Sequence, residues 1–166
     1  MTQLAQDVNK SKANPGLLAH VWTTYANYFP NDSTIQYQTG LVFHEQKDYN
    51  KAIGYYQRAT DLNPKFADAY ANLGSALLSA NRKQESQQAL AKAVQLNPSL
   101  EQAKSLAQNI QQEDNQQLIQ QAVAAINQQD YPNAVRLYQQ VVKLYPSNAD
   151  YQTQYGLALQ GNQQYP

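Results

Sequence analysis

The chain contains no cysteine, which excludes a disulfide framework, thiolate nucleophiles and thiolate metal sites together. Charge is scarce too: Lys, Arg, Asp and Glu make up 14% of the 166 residues and their formal sum is zero. A basic face or basic run, the electrostatic footprint of a nucleic-acid binder, is therefore missing. No apolar run approaches the ~20 residues that a helix needs to cross a bilayer. The opening MTQLAQDVNKSK has no apolar region of the kind a secretory signal requires. These lacks predict a soluble, cytoplasmic chain with neither nucleic acid nor a membrane as partner. Glutamine takes the place of charge, at about one residue in six. A surface of neutral amides stays wet but exerts little long-range steering on a charged partner.

Catalytic constellations are equally sparse. His20 and His44 are the only histidines, and they fall in different repeats, so they do not pair to make a metal site. Glu113-Asp114 has no second acidic pair nearby and reads as a helix-cap or loop pair. There is no phosphate-cradling glycine loop and no nucleophile elbow. The expectation is a protein without catalytic residues, cofactor or metal.

What the chain does have is a period. Pro30, Pro64 and Pro98 recur every 34 residues, and Pro146 follows 48 further on, 14 beyond the period. A 34-residue period marks an array of helix–turn–helix units. Gly40, Gly74, Ala122 and Gly156 share one place in a first helix. Ala52, Ser86 and Ala134 share one place in a second, with Tyr56, Leu90 and Tyr138 one turn later. Antiparallel helices approach closely only where small side chains meet, and the large residues fill the space where they splay. Each proline stops its helix, because the residue before it is pushed out of the α region. Asp48 and Asp130, between the paired helices, are candidate N-caps, and Pro132 suits a first helical turn.

These residues resemble the tetratricopeptide (TPR) repeat family. In the order of the family's pattern, Gln36/Thr39/Gly40/Phe43 with Ala52/Tyr56/Ala59/Pro64 make one copy. Tyr70/Leu73/Gly74/Leu77 with Ser86/Leu90/Ala93/Pro98 make a second, and Leu118/Gln121/Ala122/Ala125 with Ala134/Tyr138/Val141/Pro146 a third. Gln152/Tyr155/Gly156/Leu159 open a fourth. The first and third copies depart from the pattern at Gln36 and Gln121. The resemblance implies an all-α protein, an α-solenoid wound as a right-handed superhelix. Its expected divisions are a degenerate N-terminal helix pair over 1–32, repeats over 33–66 and 67–100, an insertion over 101–114, a repeat over 115–148 and a truncated one over 149–166.

Leu18, Trp22, Tyr25 and Pro30 fall where a second helix would place its large residues and its stop. A helix is therefore expected over 16–29, with 2–13 as its partner and Trp22 as a packing residue in phase with Tyr56 and Leu90. Around 99–114 the stripe of Leu100, Ala103, Leu106/Ala107 and Ile110 is rotated by roughly 110° from that of Leu118, Ile119, Ala122, Val123 and Ile126, at 100° per residue. Either one helix of about 45 Å joins two repeat blocks or the chain breaks near Asp114-Asn115. The absence of Gly and Pro over 99–131 favours the former. Gly156 opens a repeat whose second helix is not written, which predicts either a fragment or an end completed by another subunit.

The family binds peptides on the face lined by first helices, and the resemblance implies the same face here. It would present Thr34, Tyr37, Gln38, Leu41 and His44, then Asp68, Ala71, Asn72, Ser75 and Leu78, then Gln116, Ile119, Gln120, Val123 and Asn127. Some members clamp a terminal carboxylate there with Lys, Asn and Arg. No Lys or Arg stands at these places, so no such clamp is expected. The few charges are acidic (Glu45, Asp68, Asp150), biasing the face towards neutral or basic segments. The expected function is a non-catalytic scaffold holding a protein or peptide. Self-association through the unfinished C-terminal repeat, or service as the regulatory array of a larger enzyme, are the alternatives.

Overall fold

The computed structural model describes residues 14–164, and every regular element among them is an α-helix. In chain order they are α1 (Pro15–Tyr28), α2 (Ser33–Glu45), α3 (Tyr49–Leu62), α4 (Ala67–Ser79), α5 (Lys83–Leu96), α6 (Glu101–Asn127), α7 (Tyr131–Leu144) and α8 (Ala149–Gln164). The helix expected over 16–29 is α1. The partner expected over 2–13 lies outside the described residues. The two readings of residues 99–131 resolve in favour of continuity, since α6 runs unbroken for 27 residues.

Two kinds of connection alternate, each dictated by backbone chemistry. Within a hairpin the chain turns in three residues. Lys47, Asn81 and Gln129 sit there at φ 61°, 60° and 59°, the left-handed region that ends many helices. The Asp48, Arg82 and Asp130 N–H groups then donate back to the carbonyls of Phe43, Leu77 and Ala125 at 2.9 Å each. That six-residue reach, with the shorter bonds from Lys47, Asn81 and Gln129 to His44, Leu78 and Ile126, satisfies carbonyls the helix end would otherwise orphan. The same Asp48 and Asp130 cap the next helix, accepting from the Lys51 and Asn133 N–H groups at 3.2 and 3.4 Å.

Between hairpins the turn takes four residues with proline second. Asp32, Phe66, Leu100 and Asn148 donate their N–H to the carbonyls of Phe29, Asn63, Asn97 and Tyr145 at 3.0–3.2 Å. Proline suits that position because its ring presets φ. In two of these turns the Asn63 and Asn97 Oδ1 atoms also accept from the N–H two residues on, at 3.1 Å each.

The described residues divide into two compact units, with the boundary between Gln108 and Asn109 inside α6. In the first, Val42, Phe43, Ala52, Ile53, Tyr56, Leu73, Ala76, Leu77 and Ala89 form a continuous core, with Leu18 and Trp22 packed against it. An added Cβ on Gly40 would lie 2.6 Å from the Tyr56 ring, and one on Gly74 2.6 Å from Leu90. Tyr56 and Leu90 have no exposed surface, so these glycines are where the helices touch. Ser86 Oγ donates to the buried Gly74 carbonyl at 2.7 Å. In the second unit Ala122, Ala125, Ala134, Leu137, Tyr138, Val141 and Ala158 form the core.

Two positions of the pattern behave differently from their counterparts. Gln36, a departure from the family pattern, is buried, and its Nε2 points at the carbonyls of Ala26, Pro30 and Phe29 at 3.2, 3.3 and 3.5 Å. It thereby covers the C-terminal end of α1. Gln152 repeats the device, donating to the Pro146 carbonyl at 3.3 Å. Gly156 does not pack as Gly40 and Gly74 do, for nothing lies within 4 Å of its Cβ position. The close approach on α8 is instead Gly161, against the Tyr131 ring.

Candidate functional site

In the first unit, α2 carries Tyr37, Leu41 and His44 and α4 carries Asp68, Asn72 and Ser75, and the two helices meet through Tyr37 and Asn72. Tyr37 and Asn72 are 35 residues apart, yet the Asn72 Nδ2 donates to the Tyr37 hydroxyl oxygen at 3.1 Å and to the Asp68 carbonyl at 3.0 Å. The Tyr37 ring is held between Phe66 and Tyr56, with centroids 4.8 and 5.9 Å away. Burial first, and the Asp68 carboxylate second, push the Tyr37 phenol above its ordinary value. It stays protonated, so while its oxygen accepts from Asn72 its O–H remains a donor for a ligand carbonyl.

His44 is half-buried, not the solvated residue its sequence position would allow. Its Nδ1 lies 3.3 Å from the Tyr56 hydroxyl and its ring meets Tyr49 edge-on at 5.4 Å. Burial lowers its pKa below the ordinary value of 6.5, partly offset by Glu45. The direction of its bond with the Tyr56 hydroxyl follows the imidazole tautomer. Of the other residues expected on this face, Thr34 is exposed and Gln38 half-buried. None of these face positions is Lys or Arg.

The second unit carries its own recess of about 250 Å³, lined by Val123, Ile126, Asn127, Tyr138, Asp150, Tyr151 and Gln154. Val123 is 44% exposed and Gln120 is exposed. The repeat register sets Asp150 and Gln154 where the first unit has Asp68 and Asn72, and Ile119 where it has Tyr37. In both units the register thus sets a carboxylate and an amide four residues apart on one first helix. Phe66, which walls Tyr37, was not legible from the sequence because it ends an inter-repeat turn and belongs to no helical stripe. Gln154 shares its repeat position with Asn72, so projecting the register one repeat further would have found it. Among the described residues no cluster of His, Asp and Glu could hold a metal ion, and no helix is long and apolar enough to cross a membrane.

Three sequence profiles match the chain: one described as TPR repeat over residues 40–81 and two as tetratricopeptide repeat over 67–100 and 118–148. The peroxisomal targeting signal receptor of Saccharomyces cerevisiae is 33% identical over 90 residues, covering 52% of this chain and 15% of the receptor. The small glutamine-rich tetratricopeptide repeat-containing protein 2 of Mycosarcoma maydis is 35% identical over 72 residues, covering 43% of this chain and 20% of that protein. The chain thus spans no more than a fifth of either relative. Among solved structures, MamA superposes with a TM-score of 0.59 at 19% identity over 96% of this chain and 80% of its own. The first TPR of Spaghetti (RPAP3), bound to the HSP90 peptide SRMEEVD, gives 0.61 at 18% over 66% of this chain and 89% of its own. At such identities the likeness concerns the fold alone.

Proposed function

This chain belongs to the tetratricopeptide repeat family, and from that membership we propose that it is a non-catalytic scaffold holding a segment of a partner protein in the trough of its first helices. The observation that carries the reading is the Asn72–Tyr37 hydrogen bond at 3.1 Å, which fixes a donor and an aromatic wall across two neighbouring repeats before any ligand arrives. Side chains already held lose little freedom on binding, so less of the interaction energy goes into ordering them. The Tyr37 phenol O–H, the His44 Nε2 and the carbonyl oxygen of the Asn72 amide suit the backbone of an extended or helical segment. Asp68 favours a basic or neutral sequence over an acidic one.

The test is selection of displayed peptides on the purified protein, followed by affinities for wild type and the Tyr37→Phe/Asn72→Ala double variant. Enrichment of neutral or basic sequences whose affinity falls about tenfold or more in the double variant supports the reading. Peptides that bind both proteins equally would move the site elsewhere. A second reading, self-association, rests on Gly156: its face of α8 is uncovered where Gly40 and Gly74 are packed. Leu157 and Leu159 beside it are 49% and 38% exposed. Light scattering across a concentration series decides it, and a constant monomer mass removes it.

A further inference from the structure

Away from the trough, α3 builds a second recess that no feature of the peptide face requires. It measures about 230 Å³ and is lined by Lys51, Gly54, Tyr55 and Arg58. Its aromatic lining residue, Tyr55, stacks on the Phe43 ring of the core, with centroids 5.5 Å apart and planes within 1° of parallel. A cation stands over each ring, Lys51 Nζ 5.1 Å from the Phe43 centroid and Arg58 Cζ 5.6 Å from that of Tyr55. Such placement orients a cation through the ring's quadrupole without neutralising it.

The two cations differ in what they have left to give. Lys51 is paired with Asp48 at 2.8 Å. The Arg58 guanidinium has no ion pair or hydrogen bond among the described residues; it lines the recess and lies over the Tyr55 ring. Gly54 supplies the second observation. Inside a helix, glycine is among the least favourable residues, and elsewhere in this unit Gly40 and Gly74 are explained by neighbours 2.6 Å from an added Cβ. At Gly54 nothing lies within 4 Å of that position. The chain's own packing does not account for this glycine, and its absent side chain leaves the helix surface beside Arg58 open.

We infer that this recess is a docking site for an acidic segment of a partner protein, with one Asp or Glu carboxylate held bidentately by Arg58 over the open helix surface at Gly54. A carboxylate matches the charge: one guanidinium is uncompensated, which suits a monoanion, whereas a phosphate dianion would also need Lys51, already committed to Asp48. Arg is the side chain whose planar fork fits a carboxylate two-on-two. The chemistry is opposite to that of the trough, whose charge is acidic, so one partner could present a neutral or basic stretch to one face and an acidic stretch to the other.

The test is a nuclear magnetic resonance titration of the whole chain with a short acetylated peptide alternating Glu and Leu, its Gln-for-Glu counterpart, and inorganic phosphate, following the Gly54 amide and the Arg58 Nε–Hε signal. The expected result is a saturable shift at Lys51, Gly54, Tyr55 and Arg58 with the Glu peptide only. Arg58→Gln weakens it about tenfold or more, and Gly54→Ala weakens it several-fold while raising the thermal midpoint. Tyr37→Phe leaves it unchanged, which separates this site from the trough. Equal response to the Gln peptide, an unaltered titration in Arg58→Gln, or tighter binding of phosphate than of the Glu peptide would each overturn the inference.

Discussion

At the scale of single residues, one amino acid does opposite things in this protein. Gly40 faces the Tyr56 ring, and a methyl group there has no room. Gly54 faces nothing. Gly40→Ala is therefore expected to destabilise the first unit by about 1–3 kcal/mol through overpacking. Gly54→Ala is expected to stabilise it by about 0.5–1 kcal/mol through helix propensity. Paired urea denaturation curves check both, and equal signs would contradict the packing described. The turn residues make a second comparison. A non-glycine residue in the left-handed region costs about 1–2 kcal/mol, of which glycine's extra unfolded-state entropy returns about half. Lys47→Gly and Gln129→Gly should each gain about 0.5–1 kcal/mol, whereas Asn81→Gly should change little, because asparagine tolerates that conformation. His44 gives a pH dependence. Its pKa is lower in the folded chain than the ordinary 6.5, so the unfolded state takes up the proton first. Its contribution is complete above the unfolded value and is lost as pH falls through the folded one. Urea midpoints should decline on acidification below neutrality in the wild type, and His44→Gln should remove that component.

At the scale of elements, α6 holds the least expected feature. Residues 111–117 contain no buried side chain, while Ala103, Ile110, Ala122 and Ala125 on either side are buried. The middle of the helix thus stands on propensity and local bonds, such as Gln111 Nε2 to Asn115 Oδ1 at 2.9 Å. Amides around 113–118 should exchange with deuterium faster than those at either end, as measured by hydrogen-exchange mass spectrometry. Uniform protection along α6 would contradict this. The continuity itself was readable, because no Gly or Pro breaks 99–131. Gln36 was not readable: a polar residue at an apolar position of the pattern looks like decay until the Ala26 and Pro30 carbonyls are seen 3.2 and 3.3 Å from its amide.

At the scale of the whole molecule, the neutral composition becomes a statement about partners. With no Lys or Arg at the proposed peptide-face positions of either unit, an acidic terminal peptide of the SRMEEVD kind, present in the RPAP3 complex, should show no saturable binding to that proposed face. Fluorescence anisotropy with the labelled peptide, competed by a neutral peptide selected on the protein, checks this. Affinity for neutral ligands should also vary little with salt, since no released counterions drive it.

The 34-residue spacing of prolines, the small-against-large register and the capping aspartates determined the helices, their pairing and the family, because each is a local demand of the backbone repeated along the chain. The tertiary structure alone decided which side chains meet: that Asn72 reaches Tyr37, that Tyr56 occupies His44, that Arg58 is left unpaired beside an empty Gly54. Those outcomes depend on side-chain directions and distances between helices, and a pattern of residue types along one strand of sequence does not contain them.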